Sequence, residues 1–242
     1  MRRALLAIVC VSLALAGTAE GRSRRHASHA HASHTVVVEL FTSQALAASV
    51  PAEKLVGQLA DDPGVLVLTF PVDYWDYTGW NDTFARPEFT TRQKAYEQKL
   101  ALNDLYTPQI IVDGSGQVSG TATKDVESLI RKAQKQKTAG PRLRFARHGR
   151  LVVGSGRRPP GGGEVWLVRY DPTVRQVSVK RGENRGQIVH ERNVVRQLAR
   201  LGTWTGRQKS YVVPDGADAA GLKTAVLLQA AKGGRVLAVL QR

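Results

Sequence analysis

Apolar positions mark out the elements of this chain before any motif does. Val36, Val37, Val38, Leu40 and Phe41 form a near-continuous run, the pattern of a strand covered on both faces. A helix is predicted over 51–61, and Asp62-Pro63-Gly64 makes the turn behind it. A second buried strand over 65–70 completes a βαβ unit, whose crossover should be right-handed. Phe89, Gln93, Tyr96 and Leu100 recur at helical spacing and predict a helix over 86–102, with Pro87 in its first turn. Past Tyr106-Thr107-Pro108 comes a strand over 109–112. Asp113 to Gly116 is a hairpin signal leading to a strand over 117–120. Val126, Leu129, Ile130 and Ala133 give a last helix, over 123–136, its apolar face.

Beyond a linker at 137–141 the period shortens. Strands are predicted at 143–145, 151–153, 164–170, 174–180, 211–213, 223–231 and 235–240, with Lys232-Gly233-Gly234 closing a hairpin. Residues 193–201 fit either a helix or a strand. Seven or eight short strands separated by glycine turns suggest a sandwich. Charge breaks at the same place: residues 1–34, 35–136 and 137–242 carry +4, −4 and +15 of the total of +15. The break supports separate domains and points the C-terminal half at an anionic partner, although a solvated basic face explains the same charge.

Residues 1–19 read as a secretory signal: Arg2 and Arg3, an apolar segment from Ala4 to Ala16, and Gly17-Thr18-Ala19 as a small-residue cleavage site. The protein is therefore expected to be exported, to the periplasm or the medium. No later segment is apolar enough to span a bilayer. The single cysteine, Cys10, lies inside the apolar segment, so the chain after cleavage has none. Residues 20–34 form a basic tail in which His26, His29, His31 and His34 are candidate metal ligands, though their spacing matches no closed site.

Chemistry gathers around residues 38–52, VELFTSQALAASVPA. The stretch resembles a family of secreted thioredoxin-like proteins catalogued as domain of unknown function 1223, with the pattern V-E-L-F-T-S-Q-G-C-S-S-C-P-P-A. Val38 to Gln44, Pro51 and Ala52 match. Ala45, Leu46, Ser49 and Val50 replace the glycine, the two cysteines and the first proline. The resemblance extends to the aromatic segment Val72 to Asp82, to Tyr106-Thr107-Pro108-Gln109 and to Gly182-Glu183-Asn184-Arg185-Gly186. It implies that 193–201 is a strand and that Pro108 is a cis-proline facing the loop. The β-α-β-α-β-β-α order is that of thioredoxin. The fold expected is an α/β thioredoxin-like domain at 35–138 followed by an all-β, sandwich-like domain at 142–242.

Thiol–disulfide exchange requires a thiolate, and Leu46 and Ser49 supply none; an oxidoreductase label rests on resemblance alone. Hydrolysis by Ser49 would require a base, and His148 and His190, the histidines outside the tail, lie in the other half. No phosphate-binding glycine motif is present, and no cofactor is expected. What remains is a binding site at Leu46, Ser49, Pro51, Thr107 and Pro108 for an extended peptide, an envelope protein or another cell-envelope component. Asp73, Tyr74, Trp75, Asp76 and Trp80 form a candidate ligand loop, or else a lid whose aspartates cap turns. Glu183 and Asn184 either bind a ligand or fill the needs of their own turn. The other binding reading is a basic envelope adaptor for an anionic polymer.

Overall fold

The computed structural model describes residues 35–136, 140–215 and 220–242. The segment expected to be a signal and the tail with its four histidines lie outside them, as do residues 137–139 of the expected linker. Strands β1 (Val36–Thr42) and β2 (Val65–Pro71) are buried at every position. They pair in parallel around the crossover helix α1 (Ser49–Leu59). Helix α2 (Pro87–Leu100) opens on Pro87, where the missing N–H does no harm. Strands β3 (Gln109–Val112) and β4 (Gly116–Ser119) form an antiparallel hairpin on the other edge of β1, and helix α3 (Thr123–Gln134) follows. These elements stand where apolar periodicity places them.

The expected fold class is not what the chain adopts. Instead of a thioredoxin-like domain followed by a separate sandwich, one mixed eight-stranded sheet runs through both halves. The strands added from the C-terminal half are β7 (Gly163–Asp171), β10 (Val194–Trp204), β12 (Lys223–Ala230) and β13 (Val236–Gln241), in the order β13-β12-β7-β10-β2-β1-β3-β4. Only three α-helices accompany this strand-rich architecture among the described residues. The join is at β2, where Val194 pairs with Thr69 in parallel. Asn193 fastens it: its carbonyl accepts from Thr69 N at 3.0 Å and its Nδ2 donates to Val67 O at 3.0 Å. Its φ of +53° lies in the left-handed region that asparagine tolerates. Periodicity finds strands but not their partners, and it treated the strands after 142 as pairing among themselves. Strands β5 (Leu143–Ala146), β6 (Arg150–Val153) and β11 (Lys209–Val212) do form a small sheet of their own, and β8 (Arg175–Ser178) pairs with β9 (Ile188–Glu191).

Alternation along β1 divides the core. Val36, Val38 and Leu40 pack against Leu55, Val56, Val126 and Ile130 of α1 and α3. Val37 and Phe41 point the other way, into a cluster with Phe89 and Tyr96 of α2, Val168 of β7, Val195 of β10 and Leu227 of β12. That cluster therefore draws on both halves. Glu39 shares the Val37 face. It is fully buried and meets Arg92 of α2 in a two-pronged ion pair at 2.5 and 2.8 Å. Tyr96 donates its hydroxyl to Glu39 at 2.6 Å, and Gln229 of β12 donates to Tyr96 at 2.9 Å. Burial opposes the Arg92 charge, but Glu39 beside it more than offsets that, so the guanidinium stays protonated.

A shared core predicts shared unfolding. The full chain should melt in one calorimetric transition, and a chain ending at residue 136 should lack a cooperative transition by near-ultraviolet circular dichroism. Two well-separated transitions would contradict the shared core.

Candidate functional site

The loop after β1 is organised by one side chain. Gln44 is fully buried. Its backbone N–H donates to Asp82 Oδ2 at 2.8 Å and its Nε2 to Glu191 Oε2 at 2.8 Å. Its Oε1 accepts from Trp80 Nε1 at 3.0 Å and from Thr83 N at 3.1 Å. The loop is thereby tied at once to the aromatic segment and to β9. The turn at 182–186 closes over it from outside. Asn184 Nδ2 donates to Gln44 O and Leu46 O, both at 2.9 Å. Glu183 N donates to Ala45 O at 2.9 Å, and Glu183 Oε2 accepts from Ala47 N at 2.9 Å. Gly182 adopts φ +76°, and a Cβ there would lie 3.0 Å from Ala45 O, so both conformation and space call for glycine. Glu183 and Asn184 thus serve the backbone of a loop 138 positions away rather than their own turn.

The residues predicted for the site are placed unevenly. Leu46 is 6% exposed and Ser49 is fully buried, its Oγ accepting from Ser43 N at 3.2 Å. Pro108 is buried behind a cis Thr107–Pro108 bond, and Thr107 is half-buried. A Cβ on Gly120 would come within 2.7 Å of Ala52 Cβ and 3.1 Å of Pro108 Cβ, which shows how tightly α1, Pro108 and the end of β4 pack. Pro51, Ala47, Ala48 and Val50 are exposed. Ser49 makes no hydrogen bond to a histidine; His190 is nevertheless near α1, on the wall of a cleft.

The aromatic segment is pinned down by its own aspartates. Asp73 Oδ1 accepts from Thr90 Oγ1 at 2.5 Å, Asp76 Oδ1 from Asp82 N at 3.2 Å, and Asp82 Oδ1 from Phe84 N at 3.0 Å. Trp75 lies between Tyr74 and Tyr77, each with ring centroids 5.8 Å away. Tyr74 OH meets Thr107 Oγ1 at 2.5 Å. Among the described residues no group of three or more His, Cys, Asp or Glu is placed to hold a metal ion. The segment is tied to the loop after β1 through the hydrogen bond from Trp80 to Gln44.

Beside the loop, α1 and the β8–β9 pair enclose a cleft of about 380 Å³. Val50, Glu53 and Lys54 line one wall and Val174, His190 and Arg192 the other. Arg192 holds the walls together through Asp61 at 2.6 Å and Gly57 O at 3.1 Å. Glu53 is 3% exposed. Thr42 Oγ1 donates to its Oε1 at 2.7 Å, while its Oε2 is buried without a partner. Burial pushes the Glu53 carboxyl well above its ordinary range, and neighbouring Glu191 pushes it further. Burial likewise raises Glu191 to about 8, with Asp82 adding to the shift, and raises Asp82 to about 6. Sequence reasoning missed Glu53 and Glu191. An acid in a helix or strand ordinarily reads as a solvated position, and only the tertiary fold buries these two.

Two outcomes follow from this geometry. Asn184→Ala removes the donor to Gln44 O and leaves Leu46 O with Ser49 N alone, and should cost about 1–3 kcal/mol in urea denaturation. Glu191 holds its proton in the folded state up to about pH 8 and releases it near its ordinary 4.5 when unfolded. Its contribution is therefore fully present below about pH 4.5 and is lost as pH rises through 8. Glu191→Gln should remove this component, so that its stability relative to wild type improves between about pH 5 and 8 and levels off above. A difference that stays flat over that range would show that Glu191 is ionised in the fold.

A family model described as a protein of unknown function (DUF1223) matches residues 37–229, which include β1, the clamped loop, the aromatic segment and the clamping turn. Among solved structures, the crystal structure of a structural-genomics target from Agrobacterium tumefaciens is similar, with 27% identity over 86% of this chain and 94% of that chain and a TM-score of 0.66. No curated protein matches the sequence. The chain belongs to the DUF1223 family of proteins of unknown function.

Proposed function

We propose that this chain is an exported protein without redox activity, and that it binds an extended peptide segment beside the loop after β1. One observation carries the reading. Val50, Tyr77, Val174, Ile188 and Val212 are the large apolar side chains left exposed among the described residues. Val50 and Val174 line the cleft, and Ile188 shares an outward strand face with its wall residue His190. Three of five therefore gather on one surface, and clustered apolar exposure marks an interaction site more than scattered exposure does. The site moves outward from Leu46, Ser49 and Pro108, which are buried, to the outer face of α1 and the β8–β9 pair.

The chemistry of the surface describes its partner. Lys180, Arg181 and Arg185 are exposed between β8 and β9, and Lys54 is exposed on α1. A segment with apolar side chains and flanking acids suits both features. The two-stranded β8–β9 sheet also leaves an edge on which an extended chain could add hydrogen bonds. Export rests on the N-terminal segment, and redox silence on the replacement of both motif cysteines by Leu46 and Ser49.

The test is selection of peptides from a random twelve-residue library on the protein lacking residues 1–19, followed by affinity measurement. Enriched peptides should be apolar with acidic flanks. Val50→Asp/Val174→Asp should weaken them about tenfold or more while leaving the thermal midpoint intact, on the order expected from losing two buried valine contacts. Peptides that bind the double variant equally well would place the site elsewhere. Affinity that collapses with salt and is matched by an acidic homopolymer would favour the adaptor reading instead. In a dithiothreitol-driven insulin assay, the same protein should accelerate reduction no more than buffer does.

A further inference from the structure

A cavity of about 540 Å³ lies away from that surface, between α2 and the strands β7, β10 and β12. Its volume is in the range of small-molecule sites, far beyond the needs of one water. Its floor consists of Arg92, Tyr96 and Gln229, with Trp166 and Leu198 on the sheet side. The hydrogen bonding of that floor is asymmetric. Tyr96 OH donates to Glu39 and accepts from Arg92 and Gln229. Both polar ends of Gln229 are engaged, with Arg92, Tyr96 and Gly234 O. Two donors are left over. Arg92 Nε and Nη2 carry all of the hydrogen bonds of that guanidinium, leaving Nη1 without one, although the side chain is only 4% exposed. The indole Nε1 of Trp166 is buried and has no partner. Arg92 Cζ stands 5.5 Å from the Trp166 ring centroid, so the guanidinium and the indole lie side by side in the cavity lining.

A buried donor without an acceptor is costly, and Trp166 Nε1 is one; a guanidinium nitrogen without a hydrogen bond on Arg92, which lines the same cavity, adds a second unused donor. We infer that this cavity is a binding site for a small organic carboxylate with an apolar body. The carboxylate accepts from Arg92 Nη1 and Trp166 Nε1, and the body lies along Leu198 and Ala95. Charge at the mouth permits an anion: Glu164 is paired with Arg200 at 3.3 Å and Glu88 faces Arg86 at 3.9 Å, while the remaining cation, Lys232, lines the same mouth. Hydrogen bonds to a charged acceptor are about twice as strong as neutral ones, which separates a carboxylate from its amide. This site is independent of the peptide surface, since it shares no residue with the cleft at α1.

The probes are phenylacetate and its neutral amide, 2-phenylacetamide, titrated into the protein lacking residues 1–19. The readouts are the indole N–H resonances of its four tryptophans and calorimetry. Phenylacetate should shift the Trp166 resonance saturably, leave the Trp204 resonance in place, and bind about tenfold tighter than the amide. Thr91→Trp, at an exposed position on the mouth, should abolish the shift without changing the thermal midpoint. Trp166→Phe should weaken phenylacetate about tenfold by calorimetry. The absence of a saturable shift at 10 mM phenylacetate would overturn the site. So would binding that survives Thr91→Trp. Equal affinity for the amide would overturn the carboxylate assignment.

Discussion

A carboxylate at the centre of a sheet is the constraint on which this structure turns. Glu39 occupies the second strand face of β1, between Val37 and Phe41, where periodicity alone would place another valine. Removing it from water is unfavourable by several kcal/mol unless a partner with matched geometry arrives. Arg92 arrives from α2, and Tyr96 and Gln229 complete the set. A buried ion pair is weak evidence of net stability. Its consequence here is register. Glu39 is satisfied only when α2 lies across the sheet, and β12 adds Gln229 as a further acceptor for Arg92 and a further donor to Tyr96. Two strands, β7 and β10, separate β12 from β2, so this one charge favours a sheet that incorporates the C-terminal half.

The same logic gives each polar side chain of the V-E-L-F-T-S-Q stretch a structural partner. Glu39 holds α2, Thr42 donates to Glu53, Ser43 accepts from Ala45 N, and Gln44 joins the loop to Trp80, Glu191 and Asp82. Each of these side chains has structural work independent of any thiol. Positions 45, 46 and 50, where the resemblance breaks, carry no polar side chain at all, and Ser49 accepts a single hydrogen bond. The conformation of the loop therefore does not depend on the side chains at 45, 46 and 50, because the hydrogen bonds that shape it originate elsewhere.

Much of the first half was legible because its signals are local. The apolar runs of β1 and β2, the helical spacing of Phe89 and Tyr96, and the Asp113–Gly114 turn all report on neighbours in the chain. What escaped is non-local. Val194 pairing with Thr69 spans 125 positions and leaves no periodic trace. Strand β9 was hidden because its inward residues are Val189 and Glu191, so a polar side chain occupies a core position and breaks the alternation. The clamp was hidden for the same reason: nothing in the spacing of Gly182, Glu183 and Asn184 names Ala45 or Leu46 as partner. The fold class failed on this ground as well. Local order resembled one architecture, and a single strand pairing at the free edge of β2 made another.

The buried acids also shape what the surface can attract. Three carboxyls, Glu53, Glu191 and Asp82, lie under or beside the loop, and counted as charges they would oppose the basic residues around it. Burial prevents that. Glu191 holds its proton to about pH 8, and Glu53 is pushed the same way by burial and by Glu191. Asp82, raised to about 6, is the acid of the three that contributes most negative charge at neutral pH, and backbone N–H groups of Gln44 and Phe84 share that charge. The field outside the cleft is then set mainly by Lys54, Lys180, Arg181 and Arg185, which are exposed. Acids inside whose pKa values burial raises, set against cations outside, give a face less negative than a count of the nearby residues would suggest.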